Sequence, residues 1–433
     1  MSRPTPSSTT AVTAASVAAA ATAAFALGVA LGWLSRADSA AQPSSPSPCP
    51  PTTAFEQLVG STPLVELRSL SRATGCTVLA KCEFLSPGGS SKDRVALQIV
   101  RDAERDGKLL PGATLVEGSS GSTGVALALV ARALGYGCCV AMPDDQSTEK
   151  AAMLARLGAR VERVRPVSAV HGEHYCRVAR REAERLAAER GDARAALFAD
   201  QFDSASNFAA HATRTGPEIL QQAREWLRRN GSGADHFMRS SARCAIDAFV
   251  MGAGTGGTLA GVASSLKSLD TSVRAFLVDP PGSSLLNLVR YGVAFAPQQA
   301  ERALRRHRDD TVVEGVGLDR VTANVARALP LLDGAFSCSD AEAVAMSRFL
   351  LRREGLFLGG SSALNCVGAV KAARALGPGH VVVTVLCDRG ERYLERLWDD
   401  ERLRARGVDV GEGDDDLAFV LAEPLLPAHR SEK

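Results

Sequence analysis

Between residues 54 and 400, short apolar runs alternate with stretches whose apolar positions recur at helical spacing. Val78–Lys81, Thr114–Glu117, Gly137–Met142, Arg160–Val164, Ala248–Met251, Val273–Val278 and Val381–Leu386 read as buried strands. Helical patterns fall between them at 122–134, 147–157 and 174–190, and one follows Lys92. Strand and helix in alternation imply parallel sheets covered on both faces. Two groups of such units predict two α/β domains with a cleft between them. Residues 221–243 are polar, and the region is expected to end as an exposed loop over 231–244.

The ends differ from this centre. Residues 11–34 hold no charged side chain, and about 20 apolar residues suffice to cross a bilayer. A signal anchor, a cleaved secretory signal and an organelle-targeting segment compete here. The stretch lacks the arginines of a transit peptide, and a secretory route suits ten scattered cysteines poorly, so a membrane anchor is expected. A Ser/Pro/Ala linker follows to residue 53, and residues 401–433 are expected to be a flexible tail.

Composition narrows the function. The net charge of +2 gives no signal for nucleic acid, and the arginine runs at 177–181 and 302–306 read as solvated helix faces. No C-x-x-C and no Cys/His cluster with zinc spacing occurs, so no metal site is expected.

Three loops bear chemistry. In Ser86-Pro-Gly-Gly-Ser-Ser-Lys92 a lysine stands between a Gly/Ser turn and a helix. Helix N–H dipoles disfavour a second positive charge there, which favours a neutral amine able to form a Schiff base. Glu117-Gly-Ser-Ser-Gly-Ser-Thr-Gly124 joins a strand to a helix and offers hydroxyls and N–H groups to an anion. Gly252-Ala-Gly-Thr-Gly-Gly-Thr258 repeats that geometry with glycines that let backbone close on a phosphate. This third loop contains G-x-G-x-x-G, and Asp279 lies 22 residues past Gly257, so on its own it also fits a dinucleotide. A dinucleotide leaves the other two loops unexplained. One amine, one carboxylate loop and one phosphate loop fit pyridoxal phosphate with an amino acid.

With these motifs in order, the chain resembles the cysteine synthase and cystathionine β-synthase family of fold-type-II pyridoxal phosphate enzymes. Further matches are Gly60–Leu64, Asp200–Asn207, Thr215–Glu218, Glu314–Gly317, Gly359–Ser362 and Cys387–Leu394. Residues Gly317–Thr322 and the N-terminal stretch look most like the fungal mitochondrial branch called cysteine synthase 2. The resemblance implies a two-domain fold like the tryptophan synthase β-subunit, with parallel-rich sheets flanked by helices and preceded by the membrane helix. Residues 86–205 would form the smaller domain; 54–85 and 206–400 would form the larger, phosphate-binding one.

It also implies roles. Lys92 would carry pyridoxal 5'-phosphate as a Schiff base and act as the catalytic amine. Gly254, Thr255, Gly256, Gly257 and Thr258 would hold the phosphate, and Ser361 the pyridine nitrogen. Ser119, Ser120, Thr123 and Gln201 would bind the substrate carboxylate, with Gly315–Gly317 beside the cofactor. Ser122 stands where the family usually has an asparagine that touches the cofactor, and Ala363 where it has glycine. The implied reaction converts O-acetylserine and sulfide to cysteine and acetate through an aminoacrylate. Cystathionine β-synthase-like, serine dehydratase-like and weakly active tethered forms are the rivals. A homodimer at the mitochondrial outer membrane, anchored by one N-terminal helix, completes the expectation.

Overall fold

The computed structural model describes residues 55–119, 121–146, 148–167, 169, 171–230, 245–296, 311–410 and 416–430. The expected anchor at 11–34 lies outside them, as does Ser120. Among the described residues no helix is long and apolar enough to cross a membrane.

Among the described residues, ten strands form two sheets. They are β1 (Leu64–Glu66), β2 (Thr77–Cys82), β3 (Thr114–Gly118), β4 (Gly137–Pro143), β5 (Arg160–Val164), β6 (Ala196–Phe198), β7 (Ala248–Met251), β8 (Arg274–Asp279), β9 (Gly334–Ser337) and β10 (Val381–Leu386). The larger sheet has the order β1-β2-β10-β7-β8-β9, and the smaller β5-β4-β3-β6. Every pairing is parallel except β1 with β2. The strands expected from apolar runs all occur. The additional ones, β1, β6 and β9, are only three or four residues long, too short to show a period.

Alternation of side chains about each strand gives both sheets two apolar faces. Val78, Val250, Phe276 and Val382 pack on one side of the larger sheet, and Leu79, Phe249, Leu277 and Val383 on the other. The smaller sheet sends Leu115 and Val140 one way and Val116 and Cys139 the other. Each sheet is thus the middle layer of its own α/β domain.

Four helices matter for the site: α1 (Lys92–Arg105), α2 (Ser122–Leu134), α3 (Gly257–Leu269) and α4 (Gly360–Leu376). Helix α2 follows β3 and α3 follows β7, so both start at carboxyl ends of parallel strands, where α/β sheets present ligands.

One expectation is corrected, and another lies beyond the described residues. Gly216–Asn230 is one helix that buries Ile219, Leu220, Ala223 and Leu227, and the loop expected to follow it at 231–244 lies outside the described residues. The tail expected to be flexible is docked over residues 416–430. Glu423 accepts from the backbone N–H of Ser337 at 3.0 Å, from its hydroxyl at 2.9 Å and from Lys371 at 3.1 Å. It also pairs with Arg290. Leu417 and Val420 enter the core. A short apolar and acidic segment finds its partners only where the folded domain assembles them.

Candidate active site

The sequence Lys92-Asp93-Arg94 opens α1 in three directions. Asp93 folds back to accept from the Gly88 N–H at 2.6 Å, and burial pushes its carboxyl up to about 6. A Cβ on Gly88 would meet Asp93 Oδ1 at 2.3 Å, so a larger residue there would displace the Asp93 carboxylate. Arg94 turns inward, donating to Glu83 at 2.8 Å and to Glu218 at 2.7 Å; Lys81 pairs with Glu218 at 2.8 Å. With the two residues after it tied down, Lys92 is held at the helix start. It lines a cavity of about 1470 Å³, its nearest polar partner being Ser91 Oγ at 3.5 Å.

The β3–α2 loop forms a second wall. Ser119 Oγ accepts from the N–H groups of Gly121 and Gly124 at 3.2 and 3.1 Å, which curls the loop. Thr123 donates to Gln201 Oε1 at 2.5 Å, and Gln201 Nε2 donates to Gly118 O at 2.9 Å. Behind them Glu117 accepts from the N–H of Gln201 at 3.1 Å and from that of Gly118 at 2.8 Å. Burial pushes the Glu117 carboxyl up to about 8.

Ser122 has a fixed environment of its own. Its hydroxyl accepts from Arg392 at 2.9 Å and donates to Asp388 Oδ2 at 3.4 Å. Arg392 also donates to Gly88 O, which ties this wall to the Lys92 loop. Burial, the largest cause, raises the Asp388 carboxyl; the Tyr393 hydroxyl, donating to it at 2.6 Å, opposes the shift.

The β7–α3 loop forms the third wall. A Cβ on Gly254 would lie 2.1 Å from Gly315 O, and one on Gly257 would lie 2.0 Å from Asn207 Oδ1. Gly256 sits at φ +89°, where side chains are strained. Asn207 donates to Thr255 Oγ1 at 2.8 Å, and His211 Nε2 lies 3.1 Å from Thr258 Oγ1. His211 is fully buried, which drives its pKa well down and keeps the ring neutral. Gly317, at φ +80°, donates to Ala253 O at 2.8 Å and closes the far side. Ser361, in the first turn of α4, and Cys387 complete the lining. Burial pushes the Cys387 thiol up to about 12, so it is protonated.

Of the residues expected at the site, Lys92, Ser119, Ser122, Thr123, Gln201, Gly254, Thr255, Gly256, Thr258 and Ser361 share this one cavity. Gly257 packs against Asn207 behind the lining. Glu117, Asn207, His211, Asp388 and Arg392 hold the lining in place and received no role from sequence. All but His211 lie in motifs already noted, but a motif does not say which side chain reaches which loop.

The walls fit pyridoxal phosphate. The glycine loop leaves a cradle that any Cβ would fill. The N–H groups of Gly254, Thr255 and Gly256 have no protein acceptor among the described residues. Two threonine hydroxyls flank that loop and a lysine amine faces the same space, which matches a phosphate and an aldehyde at opposite ends of one ligand.

The comparisons agree. A profile of the pyridoxal-phosphate dependent enzymes matches residues 55–388, and the chain belongs to that family. Cysteine synthase 2 of Schizosaccharomyces pombe is 45% identical over 371 residues, covering 85% of this chain and 88% of its own. The putative mitochondrial cysteine synthase of Saccharomyces cerevisiae is 40% identical over 365 residues, 84% of this chain and 88% of its own. Among solved structures, O-ureido-L-serine synthase superposes with a TM-score of 0.66 at 30% identity, covering 84% of this chain and 98% of that one.

Proposed function

We propose that this chain is a cysteine synthase that converts O-acetyl-L-serine and sulfide to L-cysteine and acetate. The carrying observation is that one cavity joins a lysine amine, an N–H-rich carboxylate loop and a glycine phosphate cradle. The names of the relatives support the choice of reaction.

Gly254–Thr258 would hold the cofactor's phosphate, with Asn207 and His211 orienting the two threonine hydroxyls. Ser361 would meet the pyridine nitrogen. When bound, pyridoxal phosphate supplies the electron sink that makes the substrate's α-proton acidic and its β-substituent a leaving group. Ser119, Ser120, Thr123 and Gln201 would bind the substrate carboxylate. Lys92 Nζ would take the α-proton and later return it to the same carbon. The Cβ–O bond breaks with its electron pair leaving on acetate. A Cβ–S bond forms from hydrosulfide, so carbon, sulfur and protons balance without an external oxidant. Ser361 is a neutral hydroxyl, which does not keep the ring nitrogen protonated as a carboxylate would, and this favours elimination and replacement over transamination. Ser122, held by Arg392 and Asp388, replaces the usual asparagine with a shorter group.

Cysteine formation from O-acetylserine and sulfide by the purified full chain, loaded with pyridoxal phosphate, tests the reading. A loaded enzyme that forms no cysteine refutes it.

The same reading includes domain limits of 86–205 for the smaller domain and 54–85 with 206–400 for the larger. It also includes a homodimer, on family resemblance, and a mitochondrial location, on the name of the yeast relative. Residues 11–34 would anchor the chain in the outer membrane, supported by their uncharged composition. Alkaline extraction of isolated mitochondria checks the anchor, since an anchored chain stays in the pellet.

A further inference from the structure

A buried acid stands behind the carboxylate loop, and the proposed reaction gives it no task. Glu117, near the end of β3, is 1% exposed and does not line the cavity. Its Oε1 accepts from the Gly118 N–H at 2.8 Å, and its Oε2 from the Gln201 N–H at 3.1 Å. Gln201 Nε2 donates to Oε1 at 3.4 Å, while the other end of the same amide accepts from Thr123 at 2.5 Å. Ser119, Thr123 and Gln201 all line the cavity. A single amide side chain therefore links the Glu117 carboxyl to the wall where a substrate carboxylate would lie.

Among the described residues no lysine, arginine or histidine forms an ion pair with Glu117. The titratable groups around it are Asp200 from the turn after β6, Cys138 from β4, and Tyr175 and Cys176 from the helix Tyr175–Arg190. Burial pushes both thiols up to about 12 and the Tyr175 phenol well above its usual range, so all three are neutral. Asp200 is a second acid, and its partner is Arg180 at 2.9 Å. Arg320 acts on Asp200, Tyr175 and Cys176 from further out. An ionised Glu117 thus has N–H dipoles for company but no paired counter-charge.

A carboxylate entering the cavity brings a like charge to the other side of Gln201. Two carboxylates sharing one desolvated site drive one of them to its neutral form. Glu117 is the one near balance: burial already pushes it up to about 8, so a modest added charge decides its protonation. By linkage, a carboxylate that raises the proton affinity of Glu117 is itself held more tightly once the proton is in place.

We propose that Glu117 balances the charge of the carboxylate loop, taking a proton from solvent as a substrate carboxylate binds and returning it when the amino acid leaves. This deepens the cysteine synthase reading and rests on its assignment of Ser119, Thr123 and Gln201 to the substrate carboxylate. One O–H bond forms on Glu117 and one proton leaves the bulk; no bond to carbon changes. Glu117 touches no substrate and acts through Gln201 and Gly118, so it is a positioning residue. An amino acid with a free carboxylate should lose affinity as Glu117 ionises, and its amide should not.

The test uses the full chain loaded with pyridoxal phosphate and L-alanine, which has the carboxylate but no leaving group, so binding is read without turnover. Kd is followed by absorbance of the bound cofactor between about pH 7 and 9 for wild type and Glu117→Gln, whose amide stands in for the protonated acid. Dividing the wild-type Kd by the Glu117→Gln Kd at each pH cancels the titration of the ligand's amine and of the cofactor. The ratio should rise about fivefold or more across that range, toward the tenfold per pH unit of one fully coupled proton. With L-alaninamide it should stay flat. Calorimetry in buffers of different ionisation heat should show wild type taking up about half a proton more than Glu117→Gln per alanine bound near its own titration point. Wild type alone gives a second answer, independent of how the variant folds: alanine should bring up the infrared C=O stretch of a protonated carboxylic acid. A ratio that stays flat with alanine, or a wild type with no acid band, overturns the proposal. Wild type that holds alanine no better than alaninamide at any pH overturns the carboxylate assignment and the proposal together. A loaded enzyme that takes up the proton but makes no cysteine from O-acetylserine and sulfide overturns the cysteine synthase reading alone.

Discussion

Replacing Gly254 with alanine puts the phosphate cradle to a quantitative test. The added Cβ would sit 2.1 Å from Gly315 O and 3.3 Å from its carbonyl carbon. Ordinary contact begins near 3.4 Å, so one of the two loops must withdraw by about 1 Å, and neither neighbour is a flexible side-chain end. The Gly315–Gly317 segment is the one that would give way, and Gly317 donates to Ala253 O at 2.8 Å, so its retreat lengthens that bond. Forcing a methyl into a closed site costs about 1–3 kcal/mol. If the cost is felt mainly when the loops close on a phosphate, the cofactor's Kd rises by about 5- to 150-fold, at about 1.4 kcal/mol per decade. Gly172→Ala is the matched control, because a Cβ there meets nothing within 4 Å. Apoprotein of each variant is titrated with pyridoxal phosphate and followed by absorbance, and melting of the apoprotein reports the share of the cost spent on folding. A Gly254→Ala protein that binds pyridoxal phosphate like wild type, with an unchanged melting temperature, refutes the closed-cradle argument.

Other outcomes follow from the same geometry. Lys92→Ala should leave no cofactor on the chain after borohydride reduction, as measured by mass spectrometry of the intact protein, whereas wild type keeps it. The Glu117 carboxyl is held near 8 against an ordinary 4.5, so between those values the folded chain binds a proton that the unfolded chain releases. Stability from this group therefore falls as pH rises across that window. Glu117→Gln should flatten the slope in urea titrations at pH 5 and 8, while lowering stability at both by disturbing the N–H groups of Gly118 and Gln201. Glu423→Ala strips the docked tail of its contacts with Arg290, Ser337 and Lys371. It should cost about 3 kcal/mol in chemical denaturation, the range for breaking a largely buried charge cluster, and expose the tail to limited proteolysis.

The alternation of apolar runs and helical stretches was enough to predict two α/β domains, and the three glycine- and serine-rich turns pointed to an amine, a carboxylate and a phosphate. These are local properties: a strand, a turn and a helix start lie within about ten residues, and their chemistry depends on types and spacing. Tertiary structure decided what those turns touch. Ser122 looked like a shortened asparagine, but its hydroxyl is held by Asp388 and Arg392, 266 and 270 residues away. Glu117 read as the end of a strand until the fold brought Gln201, 84 residues away, onto its carboxyl. The tail read as flexible because its anchors, Arg290, Ser337 and Lys371, come together only on the folded surface. Periodicity along a chain encodes which faces turn inward. Which charge meets which hydroxyl depends on how separate strands and helices pack, and one-dimensional spacing does not contain that distance.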